Sequence, residues 1–167
     1  GLTNAIIFCN RKRDVATLAR SLERHGFSAG ALHGDMDQKS RMETLDAFKG
    51  NRLTLLVASD VAARGLDIPA VSHVFNFDVP VHAEDYVHRI GRTGRAGRLG
   101  VAYTLVAPAD SKHLDSILKL IQKPIDYLDV RQPDAAVAQE NAAEEDEAKP
   151  SRGRRGRAAK PQGGRRP

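Results

Sequence analysis

The chain has 167 residues, 41% of them hydrophobic, a formal charge of +5 and one cysteine, Cys9. That length holds one domain with a core plus a tail rather than two full domains. A lone cysteine allows neither a disulfide framework nor a cysteine zinc site, and no apolar run nears the roughly 18 residues of a membrane span.

In chain order, the start "LTNAIIFCN" runs straight into a buried-strand pattern, with neither an initiator Met nor a signal-peptide pattern before it. This reads as a piece of a longer chain, with the cytoplasm as its default compartment. "AIIFC" (5–9) is the first strand. An amphipathic helix follows from Asp14 to His25, with Val15, Leu18, Ala19 and Leu22 on one face. "SAGALH" (28–33) is a second strand, and Gln38 to Phe48 a second helix with Met42, Leu45 and Phe48 inward. "LTLLVAS" (53–59), "VSHVFNFD" (71–78) and "GVAYTLV" (100–106) give three more strands. Helices fall near 82–91 and 110–122, the last with Leu114, Ile117, Leu118 and Ile121 on one stripe. Continuous apolar strands alternating with helices predict an α/β fold, a parallel sheet with helices on both faces. Ligands in such sheets bind beyond the carboxyl ends of the strands. Here those ends hold Asn10 to Arg13, His33 to Asp37, Ser59 to Asp67, and Asp78 onward.

After residue 130 the composition changes. Residues 131–167 carry nine Lys or Arg against six Asp or Glu, a net +3, in an acidic block "ENAAEEDEAKP" followed by a basic block "SRGRRGRAAKPQGGRRP". With no aromatic residue, this segment buries too little surface to offset its ordering entropy and is expected to be disordered. The domain boundary is accordingly set at 1–130 and 131–167. The basic end, Arg152 to Arg166, reads either as a nucleic-acid tether or as a solubilising tail.

Two segments stand out chemically. In "YVHRIGRTGRAGRLG" (86–100), Arg89, Arg92, Arg95 and Arg98 recur every third residue among glycines. Three readings compete: a solvated basic face, a disordered Gly-Arg segment, and an anion site. In an anion site, guanidinium forks meet phosphate oxygens, and glycine lets backbone approach closely. In "LLVASDVAARGLDIP" a buried strand runs directly into Ser59 and Asp60, then a turn with Arg64, Gly65 and Asp67. Capping by Ser59 or Asp60 is the plain alternative to a site there. The histidines His25, His33, His73, His82 and His113 show no metal-ligand spacing, so no metal is assigned to this chain.

Taken together, "IIFCN", "HGDMDQKSR", "ASDVAARGLDIP" and "HRIGRTGR", in that order over residues 4 to 130, resemble the second RecA-like domain of DEAD-box RNA helicases. The resemblance implies a RecA-like sheet and an ATP-dependent RNA helicase as the complete protein, of bacterial type with a basic extension. It also implies ATP with Mg2+ as cofactor, held mainly by a first RecA-like domain of the same chain. Arg92 and Arg95 would reach the phosphates, Arg95 as the arginine finger. His88 and Arg89 would tie the segment to the nucleotide site, with Gly65 and Asp67 bordering the nucleotide. Asn10, Gly34, Arg41 and Ser59 would touch single-stranded RNA along its backbone, and Arg64 would bridge to the first domain or support the RNA site. Arg98 falls outside that motif and reads as a surface charge. Implied partners are RNA, the first domain, and RNA-processing or ribosome-assembly proteins, with no membrane.

One departure and one absence bear on this reading. Many relatives place Thr after the Asn of the first-strand motif, where this chain has Arg11, exchanging a hydroxyl hydrogen bond for a charged one. No Gly-Lys pair occurs, so there is no phosphate loop, and the only approach to a DEAD tetrad, Asp146 to Lys149, lies in the acidic block without a preceding strand. The domain alone is therefore expected neither to hydrolyse ATP nor to unwind RNA. A non-enzymatic RNA-binding module and a DNA-directed relative are the alternatives, the latter separable by its indifference to a 2′-hydroxyl.

Overall fold

A computed structural model describes residues 1–95, 97 and 99–128. Arg98, the acidic and basic blocks after residue 130, and the Asp146 to Lys149 run lie outside the described residues. The compact unit is Gly1–Ile125.

Five strands form one all-parallel sheet: β1 (Ala5–Cys9), β2 (Ala29–Leu32), β3 (Leu55–Ser59), β4 (His73–Asn76) and β5 (Val101–Thr104), in the spatial order β2-β3-β1-β4-β5. The helices are α1 (Lys12–Arg24), α2 (Gln38–Lys49), the one-turn α3 (Asp60–Ala63), α4 (Ala83–Ile90) and α5 (Ser111–Ile121), the last preceded by a 3-10 turn at Pro108–Asp110. Every strand and long helix expected from the pattern is present.

Strand alternation distributes the core. Ile6, Phe8, Leu32, Leu56, Ala58 and Val74 face α2 and α3, meeting Leu45, Phe48, Ala62 and Ala63. On the other face Cys9 and Val57 pack against Val15 and Ala19 of α1, with Leu18 and Leu22 half-buried beside them. A further cluster, Val79, Tyr86 and Ile117, joins α4 to α5. Each fully buried Ile, Leu, Val or Phe contributes about 1.5–3 kcal/mol. The central strands β1 and β3, covered on both faces, therefore fix the frame.

Element ends shift from the sequence reading, as in β3 (Leu55–Ser59 against 53–59) and β5 (Val101–Thr104 against 100–106), and two further differences have a visible cause. Met42 is 40% exposed, and the inward place it was expected to fill on α2 goes to Arg41, one turn before Leu45, whose Nη2 donates to the Ala62 carbonyl at 3.3 Å. The fourth strand starts at His73 rather than at 71, the Val71 N–H leaving the ladder to donate to the Arg92 carbonyl at 3.0 Å, and it ends at Asn76.

The strand order also creates a crevice. β1 and β4 are neighbours, yet the chain leaves β1 toward β2 and leaves β4 toward β5, in opposite directions. Such a switch point leaves a gap at the carboxyl ends of the strands, where ligands of open α/β sheets bind.

Candidate functional site

Arg89 fills the base of that crevice. Helix α4 presents it on the same stripe as Tyr86, three residues earlier, so it points into the domain and is only 1% exposed. Burial of a guanidinium is tolerable only when every donor is satisfied. Here all five N–H groups are. Nε and Nη2 donate to the two Asp60 carboxylate oxygens at 2.7 and 2.5 Å, Nη2 also to Asn10 Oδ1 at 2.7 Å, and Nη1 to Asn76 Oδ1 and the Asp78 carbonyl at 3.3 and 2.9 Å. The guanidinium carbon lies 5.3 Å from the Phe8 ring centroid. One side chain thus ties the ends of β1, β3 and β4 to α4, and it has no donor left for a ligand.

Above it opens a cleft of about 490 Å³, whose walls include Arg64, Asp85, His88, Arg89, Arg92 and Arg95. Helix α4 stops at Ile90, and Arg92 and Arg95 follow in the turn beyond. Thr93 clasps that turn to the strand entrance, its Oγ1 donating to the Val71 carbonyl at 2.6 Å, while the Arg92 carbonyl receives the Val71 N–H. Arg95 Nε donates to the Gly91 carbonyl at 2.6 Å. Gly100 returns against the same turn so closely that a Cβ there would sit 2.2 Å from Gly94 N and 2.4 Å from Thr93 Oγ1. No side chain fits at that position.

The cleft's four guanidiniums divide into two kinds. Arg89 is matched by Asp60, and Arg64 by Asp85 at 3.2 Å. Arg92 and Arg95 face no carboxylate among the described residues. A positive charge held on an ordered turn and left uncompensated is what a phosphate oxygen requires.

Other expected site residues lie apart from this cleft. Gly65 adopts φ +75°, a left-handed turn, and Asp67 beyond it is 96% exposed with Lys49 Nζ at 3.2 Å. Neither lines the cleft. Asn10, Gly34, Arg41 and Ser59 sit at or beyond the carboxyl ends of β1, β2 and β3. Of these, Arg41 and Ser59 meet at α3, where Ser59 Oγ accepts the Ala62 N–H at 3.4 Å as the helix N-cap. Arg41 Nε and His33 Nδ1 are buried with no partner among the described residues. Asn10 is committed on both sides, accepting from Arg89 and donating through Nδ2 to the Val79 carbonyl at 2.9 Å. Arg11, at the N-cap of α1, makes no side-chain cap bond, and Lys12 pairs with Asp35 at 2.8 Å.

Sequence reasoning overlooked Asn76 and Asp85. Asn76 had a signal, a polar residue inside the apolar run "HVFN". Asp85 had none, being one acid among two in the first turn of a helix. No group of three or more His, Cys, Asp or Glu able to hold a metal ion occurs among the described residues, and no helix there is long and apolar enough to cross a membrane.

Residues 2–97 match the family described as "Helicase conserved C-terminal domain". The chain belongs to that family, in its DEAD-box branch. Over 133 residues, 80% of this chain, it is 47% identical to the DEAD-box ATP-dependent RNA helicase CshA of Bacillus cereus, covering 25% of that protein. It is also 47% identical over 126 residues, 75% of this chain, to the DEAD-box helicase RhpA of Helicobacter pylori, of which that stretch is 26%. The chain thus spans about a quarter of the curated relatives it matches. Among solved structures, the Escherichia coli DEAD-box protein SrmB, bound to the regulator of ribonuclease activity A, superposes with a TM-score of 0.71 at 42% identity, covering 79% of this chain and 82% of that one. The C-terminal domain of the DEAD-box protein Dbp5 gives 0.67 at 37% identity, with 72% and 71% covered. As a DEAD-box C-terminal domain, the chain has the five-stranded RecA-like sheet expected of it.

Proposed function

We propose that this domain is the second half of an ATP-dependent RNA helicase, closing with an N-terminal RecA-like domain of the same protein over ATP and Mg2+. The observation that carries this reading is the pair Arg92 and Arg95, held on an ordered turn at the switch-point cleft with no carboxylate against them. Phosphoryl transfer depends on positioning and on stabilising charge at the transferred group, and both guanidiniums suit that work. Arg95 is the finger that meets the γ-phosphate, and Arg92 supports it. His88, on the same cleft wall, and Gly65 and Asp67, on the turn after α3, border the nucleotide. Arg89 acts from behind, holding the strand ends on which the cleft is built. Mg2+ accompanies the triphosphate and is ligated by the first domain, whose phosphate loop and acidic tetrad this chain lacks.

RNA runs across the carboxyl ends of β1 to β3, touched along its backbone by Asn10, Gly34, Arg41 and Ser59. Backbone contacts position a strand without reading its bases, so they confer little sequence preference. Cleft closure strains a short duplex and hydrolysis releases it. RNA-processing or ribosome-assembly proteins are the class of protein partner, in the cytoplasm.

The test is RNA-stimulated ATP turnover in a protein that includes the first domain, native against Arg95→Ala. Turnover should fall by about a thousandfold in the variant while nucleotide binding largely survives. Equal turnover in the two proteins would remove the finger role.

A further inference from the structure

The ion pair between Arg64 and Asp85 is unusual for its setting. A cleft that receives a polyanion gains nothing from a carboxylate on its wall, since that charge repels the ligand. Asp85 stands on that wall all the same. It occupies the third position of α4, where an acidic side chain commonly folds back to cap the helix's own N-terminus. That is not its use here: His82 at the N-cap has no side-chain cap bond, and among the described residues the one hydrogen bond to the Asp85 carboxylate comes from Arg64 Nη2, at 3.2 Å.

The two partners are unequally held. Asp85's side chain is 20% exposed and fixed on a helix whose other face is packed against α5, whereas Arg64's is 68% exposed and follows the four-residue α3. The carboxylate therefore decides where the guanidinium sits, and not the reverse. It holds the exposed Arg64 among the residues that line the cleft with Arg92 and Arg95.

We propose that Asp85 is a positioning residue for catalysis, acting through Arg64: it orients that guanidinium toward the opposing domain before the cleft closes. This rests on the helicase reading above. An exposed pair of this kind adds little to stability. Its value lies in pre-orientation, where a small misplacement of a reacting or bridging group costs rate rather than fold. The Asp85 carboxylate is also engaged by Arg64, leaving Arg92 and Arg95 without a counter-charge among the described residues.

The experiment is a double-mutant cycle in the protein that includes the first domain: native, Asp85→Asn, Arg64→Gln and the double variant, each measured for RNA-stimulated kcat and KM for ATP, with Asp85→Glu as the conservative control. Asp85→Asn should lower kcat by about fivefold with KM for ATP unchanged within about twofold, and the same substitution should have no further effect on the Arg64→Gln background. Asp85→Glu should recover part of the loss. An equal loss on both backgrounds would show that Asp85 acts independently of Arg64 and overturn the proposal, as would an unchanged kcat in Asp85→Asn. A native protein without RNA-stimulated turnover would instead overturn the helicase reading, and this inference with it.

Discussion

Replacing Arg89 with Met keeps roughly the volume of the side chain but removes every donor. The consequence can be worked from its partners. Asp60 keeps a carboxylate that is only 23% exposed and has lost both of its guanidinium bonds, while Asn76 Oδ1, in a fully buried residue, loses its Arg89 donor. Asn10 Oδ1 and the Asp78 carbonyl lose theirs as well. Removing one partner of a buried pair costs about 3–5 kcal/mol, because the other charge is left uncompensated. Small domains are stable by about 5–15 kcal/mol in total, so Arg89→Met should leave this one marginal. Urea unfolding followed by far-ultraviolet circular dichroism, extrapolated linearly to water, measures the loss. The companion variant Arg89→Met with Asp60→Leu takes away both charges together. It should be more stable than Arg89→Met alone by at least about 1 kcal/mol, since no stranded carboxylate remains. A loss below about 1 kcal/mol in the single variant, or simple addition of the two single losses in the double, would refute the account of Arg89 as a satisfied, buried hub.

Gly100 and Cys9 give three further outcomes. Gly100→Ala drives a methyl group into backbone at 2.2 Å, so it should cost about 1–3 kcal/mol and reduce turnover in the two-domain protein by displacing the Arg92 to Arg95 turn; melting and turnover unchanged from native would contradict the close approach. Burial, reinforced by the nearby carboxylates of Asp78 and Asp14, pushes the Cys9 thiol from its ordinary 9.0 up to about 12. The folded state therefore holds a proton that the unfolded state has released, and stability should fall as pH rises from about 9 toward 12, having been fully present below 9. Alkylation by iodoacetamide at pH 8.5 should be negligible in the folded chain and rapid in urea; fast labelling of the folded chain would show the thiol to be accessible.

The sheet was legible because its signal is redundant: β1 is apolar at every position and β3 at every position before Ser59, and the helices between them repeat their apolar residues with helical spacing. Where a polar residue took an apolar place, legibility failed. Arg41 on α2 has a long aliphatic stem that can lie inward while its guanidinium reaches the Ala62 carbonyl, so the pattern assigned its place to Met42. The site was legible as a set of residue types, but not as a division of duties. The arginines recur at one spacing, yet the helix ends at Ile90, between Arg89 and Arg92. Asp85 was invisible because its meaning depends on a partner 21 residues away in the chain.

That helix end explains the arginine repeat. Four guanidiniums at equal spacing on one continuous helix would mostly face solvent and repel one another. Ending α4 after Arg89 lets the same residue type serve opposite purposes within six positions. Inside the helix, Arg89 exhausts its donors on the ends of β1, β3 and β4, so its charge is spent within the fold. Beyond the helix, the turn clasped by Thr93 and closed by Gly100 presents Arg92 and Arg95 with their charge unspent. The two roles depend on each other. A guanidinium can stabilise a developing charge only if it is already in place when the charge appears, since reorganisation during the reaction would cost what the contact gains. The turn is in place because its helix is anchored, and the helix is anchored at its last turn by Arg89. By this reasoning a loss of Arg89 should reduce kcat in the two-domain protein even where enough folded enzyme remains to bind ATP, although Arg89 itself has no donor to offer the nucleotide.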